Sequence, residues 1–388
     1  MRKLLIIILI LTVSILLVSC GADSSEKDTE YRAKVVDSTD DSYKDESTGK
    51  YYSTQHLTLV FTEGPFEGQQ QEAGVFIDAA NYTDIALYKT GDTVLVAVFE
   101  TAEDEIDYVS VVTLVRLPYI IILALVFLVL IGVIGRMKGL KTILALVFTV
   151  SAVVFVLVPL IARGYNPILS AALICVVISV VTLFLVGGFN RKSLSAVLGT
   201  VGGLICAAVI TIVFSALMRI SGINTASVGM LMVADTDVIF NYQGILTAGI
   251  LIGCIGAVMD VGMSISSSIN EMVNIHPAIS RKKLFKSGLS VGKDIIGTMA
   301  NTLILAYTGG SIMLMVVWSV YSTSYLDMLN QGYIVIEVAK SLCGSIGMVM
   351  TIPLTAFIAS HLVHADHSIG KEKLDDLKAV EEGESQGN

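Results

Sequence analysis

Gly249-Ile-Leu-Ile-Gly253-Cys-Ile-Gly256-Ala-Val-Met-Asp260-Val-Gly-Met-Ser264-Ile-Ser-Ser267-Ser-Ile-Asn-Glu271 is the stretch whose reading decides how this chain is built. At about 100° per residue, its numbered residues fall within roughly 40° of one line along a helix. A second stretch, Lys293-Asp294-Ile-Ile-Gly297-Thr298-Met-Ala-Asn301-Thr-Leu-Ile-Leu-Ala-Tyr-Thr308, places Asp294, Thr298, Asn301 and Thr308 on one face in the same way. Small residues let helix backbones approach closely, and polar groups inside an apolar span need partners away from lipid. The two stretches are therefore expected to be neighbouring helices whose polar faces turn into a bundle interior. Asp260, Ser264, Ser267, Glu271, Asp294, Thr298 and Asn301 are the candidate coupling residues, and Gly249, Gly253 and Gly256 the candidate packing positions. Asp294 has a second reading, as an acid capping the positive end of its helix.

Composition agrees with a membrane location. Hydrophobic residues make up 54% of the chain and charged ones 15%, well below the quarter or so that a soluble domain carries. A net charge of −9 argues against a nucleic-acid partner. The five cysteines, at 20, 175, 206, 254 and 343, show no CxxC pair and no metal-ligand spacing.

The N-terminus, Met1-Arg2-Lys3 followed by an apolar run to Val18, reads as a secretory signal segment. It ends in Leu17-Val18-Ser19-Cys20, which resembles a bacterial lipobox with Cys20 as the lipidated residue; an uncleaved signal anchor is the alternative. Residues 21–50 are polar and are expected to be a loop or stalk. Five strand-like runs follow the period-2 pattern: Tyr31–Val36, His56–Phe61, Glu72–Ile77, Thr93–Phe99 and Tyr108–Val115. They point to a small all-β, OB-like domain without a catalytic constellation.

Seven apolar segments come next, near 118–135, 142–162, 168–187, 194–217, 244–268, 294–318 and 335–362. Gly199, Gly202, Gly203, Ala207 and Ala208 suit tight helix packing. Ten Lys and Arg residues lie in loops 136–141, 188–193 and 269–293, against Arg163 and Arg219 in the loops of the other side. The positive-inside rule then places the β domain outside the cell and the C-terminus in the cytoplasm. Glu337 and Lys340 read as an i,i+3 helix-end pair. His361, His364 and His367 read as a helix end whose cations suit the dipole, in preference to a metal site.

The fold class expected is a polytopic α-helical membrane protein with seven spans after its signal or anchor segment. It divides into that segment (1–20), an extracytoplasmic β-rich domain (21–117), a helical bundle (118–362) and a cytoplasmic tail (363–388) that is solvated and frayed.

Several short motifs carry a family resemblance. Gly256-Ala-Val-Met-Asp260, Ser264, Ser267, Asn270-Glu271, His276-Pro277, Ser287-Gly288, Gly292-Lys293-Asp294, Gly297-Thr298-Met299 and Asn301-Thr302-Leu303 follow one another in an order that resembles the YibE/F family of multi-pass membrane proteins. Gly344 to Gly347 with Pro353-Leu354-Thr355-Ala356, and Gly91-Asp92-Thr93-Val94 with Arg116, are similar to that family's last helix and N-terminal region. The resemblance implies a multi-pass membrane protein and no particular activity. Cys20 departs from the family pattern and leaves the spans at seven or eight. The acidic residue after Gly-Ala-Val-Met, with a basic connector and a Gly-Thr-rich helix, is also similar to the motor half of proton-driven SecD/RND-type proteins.

Two functions are expected to compete. One is a permease, ion- or proton-coupled through Asp260, moving a small solute or ion across the lipid bilayer. The other is a membrane-anchored scaffold or sensor whose β domain binds an extracytoplasmic protein. No Ser/His/Asp set, paired-aspartate protease signature or HExxH motif is present, so neither enzyme activity nor a cofactor is expected.

Overall fold

The computed structural model describes residues 30–44, 51–78, 88–100, 106–223, 228–229, 231, 238–321 and 324–385, with backbone alone from His364 onward. The signal segment and Cys20 lie outside the described residues. The described chain separates into two compact units, one ending at Leu130 and the other beginning at Ile131.

The first unit is a five-stranded antiparallel sheet of β1 (Glu30–Lys44), β2 (Tyr51–Phe61), β3 (Gln70–Asp78), β4 (Thr93–Glu100) and β5 (Ile106–Leu114), in the order β3-β2-β1-β4-β5. The outer strands β3 and β5 approach each other, so the sheet curls into a small barrel. Alternation builds its core: Ala33, Val35, Leu57, Leu59, Phe61, Val94, Val96 and Val98 are all buried. All five expected strands are present, but β1 and β2 run further into the region expected to be a loop. Asp37–Lys44 pairs residue for residue with Tyr51–Thr58 after a bulge between Val35 and Asp37. The partner strand supplies the ladder that the acidic composition alone did not promise. Beside the bulge, Gln55 is buried; its amide accepts from Tyr88 N–H and donates to Ser38 Oγ and to the Tyr88 carbonyl. Gly91, at φ +99°, makes the turn into β4, and its N–H donates to the Val35 carbonyl.

The second unit is helical. Its long helices are α1 (Leu117–Ala162, which begins in the first unit), α2 (Pro167–Gly187), α3 (Arg191–Leu217), α4 (Tyr242–Ile275), α5 (Arg281–Gly310), α6 (Ile312–Tyr321) and α7 (Gly332–Ser385). Asn166, Asn190 and Asn241 cap α2, α3 and α4 by accepting first-turn backbone N–H groups.

Five helices are long and apolar enough to cross a membrane, or six when α5 and α6, bent by 59°, count as one broken span. The sequence reading counted seven. Its segments 118–135 and 142–162 both fall in α1, which is counted once at 46 residues. That stretch is kinked at Arg136, whose φ 47° and ψ −129° lie outside the helical region, within the loop 136–141 expected between the two segments. Its 46 residues are more than twice the ~20 that one span needs, so α1 has length for both segments, one on either side of Arg136.

Two further corrections concern helix ends. The α5 helix starts at Arg281, so Asp294 lies in mid-helix and caps nothing. The tail expected to fray is helical in its backbone to Ser385, as Glu, Lys, Leu and Ala favour. Pro353 does not interrupt α7.

The expected tight packing of small residues occurs between α3 and α7. A Cβ on Gly199 or Gly203 would overlap the Thr355 or Thr351 hydroxyl, and Ala207 meets Gly347. On α5, Gly288 and Gly292 seat Ile269 of α4 and Ile352 of α7. Cys175, Cys254 and Cys343 sit buried as free thiols, and Cys206 is half-buried and free.

Candidate functional site

Helical period places Gly249, Gly253, Gly256, Asp260, Ser264, Ser267 and Glu271 on one face of α4, as the spacing predicts. That face does not turn into the bundle. All of these residues are exposed except half-buried Ser267, while Cys254, Ile255, Val258, Val261, Ile265, Ser266 and Ile269 on the opposite side are buried. On α5, Asp294, Gly297, Thr298 and Asn301 are likewise exposed and Thr308 is half-buried.

The inward expectation fails for a physical reason. The α4 helix has a second set of small positions, Ala248, Gly262 and Ser266, on its apolar side, and these admit the neighbours. Gly262 lies against Thr200 and the Ala196 carbonyl of α3 and against Thr351 of α7. With those contacts filled, the glycine and carboxylate face is left outward.

Contacts between α4 and α5 set their relative heights. Ile269 packs on Gly288, and the Tyr307 hydroxyl fills the space at Gly253. With a rise of about 1.5 Å per residue in both antiparallel helices, Asp260 comes level with the Thr298–Asn301 turn and Asp294 with Ser264. Asp260, Glu271 and Asp294 make no hydrogen bond or ion pair with another described residue. A Cβ added at Gly249, Gly256 or Gly297 would meet nothing within 4 Å. The site residues therefore share one flank of the bundle, where carboxylates, hydroxyls and an amide face open space.

Two polar features escaped the sequence reading. The first is a seam of hydroxyls inside the bundle. Ser195 and Ser266 contact each other, and both donate to the Lys192 carbonyl, at 2.8 and 2.6 Å. Close by, Thr351 donates to the Gly347 carbonyl, while Ser193, Thr200 and Thr355 keep buried hydroxyls without a partner among the described residues. The matched i,i+4 pairs Gly199/Gly203 and Thr351/Thr355 were the available signal.

The second feature is at the α5–α6 bend. Ser311 is in hydrogen-bonding range of both the Tyr307 carbonyl, at 3.0 Å, and Glu337 Oε2, at 3.1 Å. The expected Glu337–Lys340 pair forms, with Lys340 Nζ donating to Glu337 Oε1 at 2.6 Å, and both side chains are largely buried. Gly309-Gly310 was the signal for the bend. His361 Nδ1 lies 2.9 Å from the Phe357 carbonyl. The side chains of His364 and His367 are outside the description, and no cluster of three metal-ligating residues occurs among the described residues.

The family model described as YibE/F-like protein matches residues 123–365, which include the whole α4–α5 flank. No curated protein and no solved structure matches the chain.

Proposed function

We propose that this chain, which belongs to the YibE/F-like protein family, is an ion-coupled permease whose α4–α5 flank lines the path. The observation that carries this reading is Asp260, an unpaired carboxylate in the middle of an apolar helix, exposed beside glycines that face empty space. A charge resting in hydrocarbon costs about 3 kcal/mol or more, so such a face belongs to a water-accessible groove. In that groove Asp260 is the ion- or proton-binding group. Thr298 and Asn301 at its height, with Ser264 and Asp294 further along, supply polar contacts. The β unit is extracytoplasmic and the C-terminus cytoplasmic, following the ten-to-two bias of basic residues.

Liposomes holding a trapped pH dye test this under an imposed proton gradient. The wild-type chain is expected to move protons, and Asp260→Asn to abolish the movement while remaining folded. Undiminished movement in the mutant contradicts the reading.

A scaffold or sensor role has one observation of its own. Phe99 and Tyr108 stack at 4.2 Å on β4 and β5 with both rings exposed, a surface suited to a protein partner. In that case the Asp260→Asn chain keeps full function in cells, and loss follows deletion of the β unit.

A further inference from the structure

Along the outer side of the α5–α7 contact we infer a binding surface for an anionic phospholipid of the cytoplasmic leaflet. At about 100° per residue, Lys282, Lys286 and Lys293 of α5 fall within roughly 40° of one line. All three are exposed, and none makes a hydrogen bond or ion pair with another described residue. On α7, Ile346, Met350 and Phe357 form a matching apolar line and are exposed as well. No Asp or Glu occurs in residues 281–293 or 341–365, so neither stretch supplies a counter-charge to these lysines.

Packing brings the two lines to one side. Gly292 seats Ile352 and Gly288 lies against Ala356, which sets α5 and α7 as antiparallel neighbours in a fixed register. The lysine line lies about 100° past Gly292 on its helix, and the apolar line about 140° past Ile352 on the other. In an antiparallel pair of right-handed helices, the same sense of rotation leads to the same side of the contact. Accordingly the Phe357 ring meets the Phe285 ring edge-on, at 6.4 Å, next to Lys286. At about 1.5 Å per residue, Lys293 comes level with Thr351 and Lys286 with Ile358, so these two lysines bracket the turn from Pro353 to Phe357.

Depth and charge together select a lipid. The Lys192 carbonyl, at the start of α3, accepts from Ser266 of α4, so this end of α4 and α5 is the end that carries Arg191 and Lys192. Those two, with Arg136, Lys138 and Lys141, mark the cytoplasmic side without counting the α5 lysines. The seating of Ile269 on Gly288 puts Lys293 within about one turn of Ser266. Lys286 then lies about 10 Å further out, roughly the depth of a headgroup layer. Lysine stems lie along apolar surface and turn their ammonium groups to the headgroups. Lys286 and Lys293 therefore reach one phosphate from either side, Lys282 flanks it a turn beyond, and an acyl chain lies along Ile346, Met350 and Phe357. A zwitterionic lipid would set its own ammonium against the lysines, whereas an anionic one brings negative charge alone.

This inference goes beyond the permease reading and stands or falls without it, because its test reads lipid and no ion movement. The full chain has one tryptophan, so Trp318→Phe with Phe357→Trp leaves a single reporter on the surface. That chain is placed in phosphatidylcholine nanodiscs containing brominated phosphatidylglycerol or, in parallel, brominated phosphatidylcholine, whose bromines quench tryptophan on contact. Phosphatidylglycerol is expected to be enriched about tenfold or more at the reporter, and Lys286→Gln or Lys293→Gln to cut that preference about fivefold each, the weight of one lysine at an anionic surface. Lys138→Gln, in another cytoplasmic loop, should leave it unchanged. Equal quenching by the two lipids overturns the inference. An equal loss from Lys138→Gln also overturns it, by making the preference a property of the whole leaflet. Reversal of the quenching difference when inorganic phosphate replaces chloride at the same ionic strength overturns it too, by making the surface one for a soluble anion. Should the reporter chain fail to fold, mass spectrometry of the wild-type chain released from discs of both lipids counts what stays bound. Retained phosphatidylglycerol that Lys286→Gln releases supports the surface, and retention of neither lipid, or retention unaltered by Lys286→Gln, overturns it.

Discussion

The α3–α7 contact and the α4–α5 flank are made from the same residue types, glycine with hydroxyl side chains, and use them in opposite ways. Between α3 and α7 the places at Gly199 and Gly203 are taken by Thr355 and Thr351. On the flank, Gly249, Gly256 and Gly297 have nothing against them and Asp260 has no partner among the described residues. In the first region small residues bring two helices together, which is their usual work in a membrane. In the second they keep space clear. A glycine stripe therefore does not announce its own role; what stands opposite it does.

Substitutions sharpen this contrast, beginning with the largest expected effect. Gly203→Val would drive two methyl groups into Thr351 and the Gly347 carbonyl. A loss of about 3 kcal/mol or more is expected, read as a collapse of the thermal unfolding temperature in detergent. Ser266→Ala removes a hydroxyl that donates to the Lys192 carbonyl and contacts Ser195. It should lower stability by about 1 kcal/mol in the same assay. Gly256→Ala, with open space at its Cβ, should leave stability unchanged or raise it by up to about 1 kcal/mol through helix propensity. Should Gly256→Ala destabilise as much as Gly203→Val, the contrast between the two regions is broken.

The sequence carried more of the elements than of their placement. Period 3.6 put Asp260 and Glu271 on one face with the glycines, period 2 found all five strands, and i,i+3 spacing found the Glu337–Lys340 pair. Periodicity relates residues to their own helix and says nothing of which neighbour stands opposite, so the outward turn of Asp260 was not legible. Local composition misled where pairing decided the outcome, as in Asp37–Lys44. A basic connector before Asp294 concealed that α5 begins at Arg281. The bend at Ser311 was written in Gly309-Gly310 but lay inside one hydropathy peak. The hydroxyl seam needed two distant helices to meet before its threonines could be recognised as buried.

Water at the flank is the central claim, and thiol accessibility reads it directly. In a chain whose native cysteines are replaced by alanine, Ser264→Cys and Thr298→Cys sit on the flank, and Leu173→Cys sits on the exposed apolar side of α2. Intact membranes are treated with a water-soluble maleimide that modifies thiols only where water reaches them. The account predicts labelling at 264 and 298 and none at 173. Protection at 264 and 298 would contradict it, because the Asp260 face would then be dry.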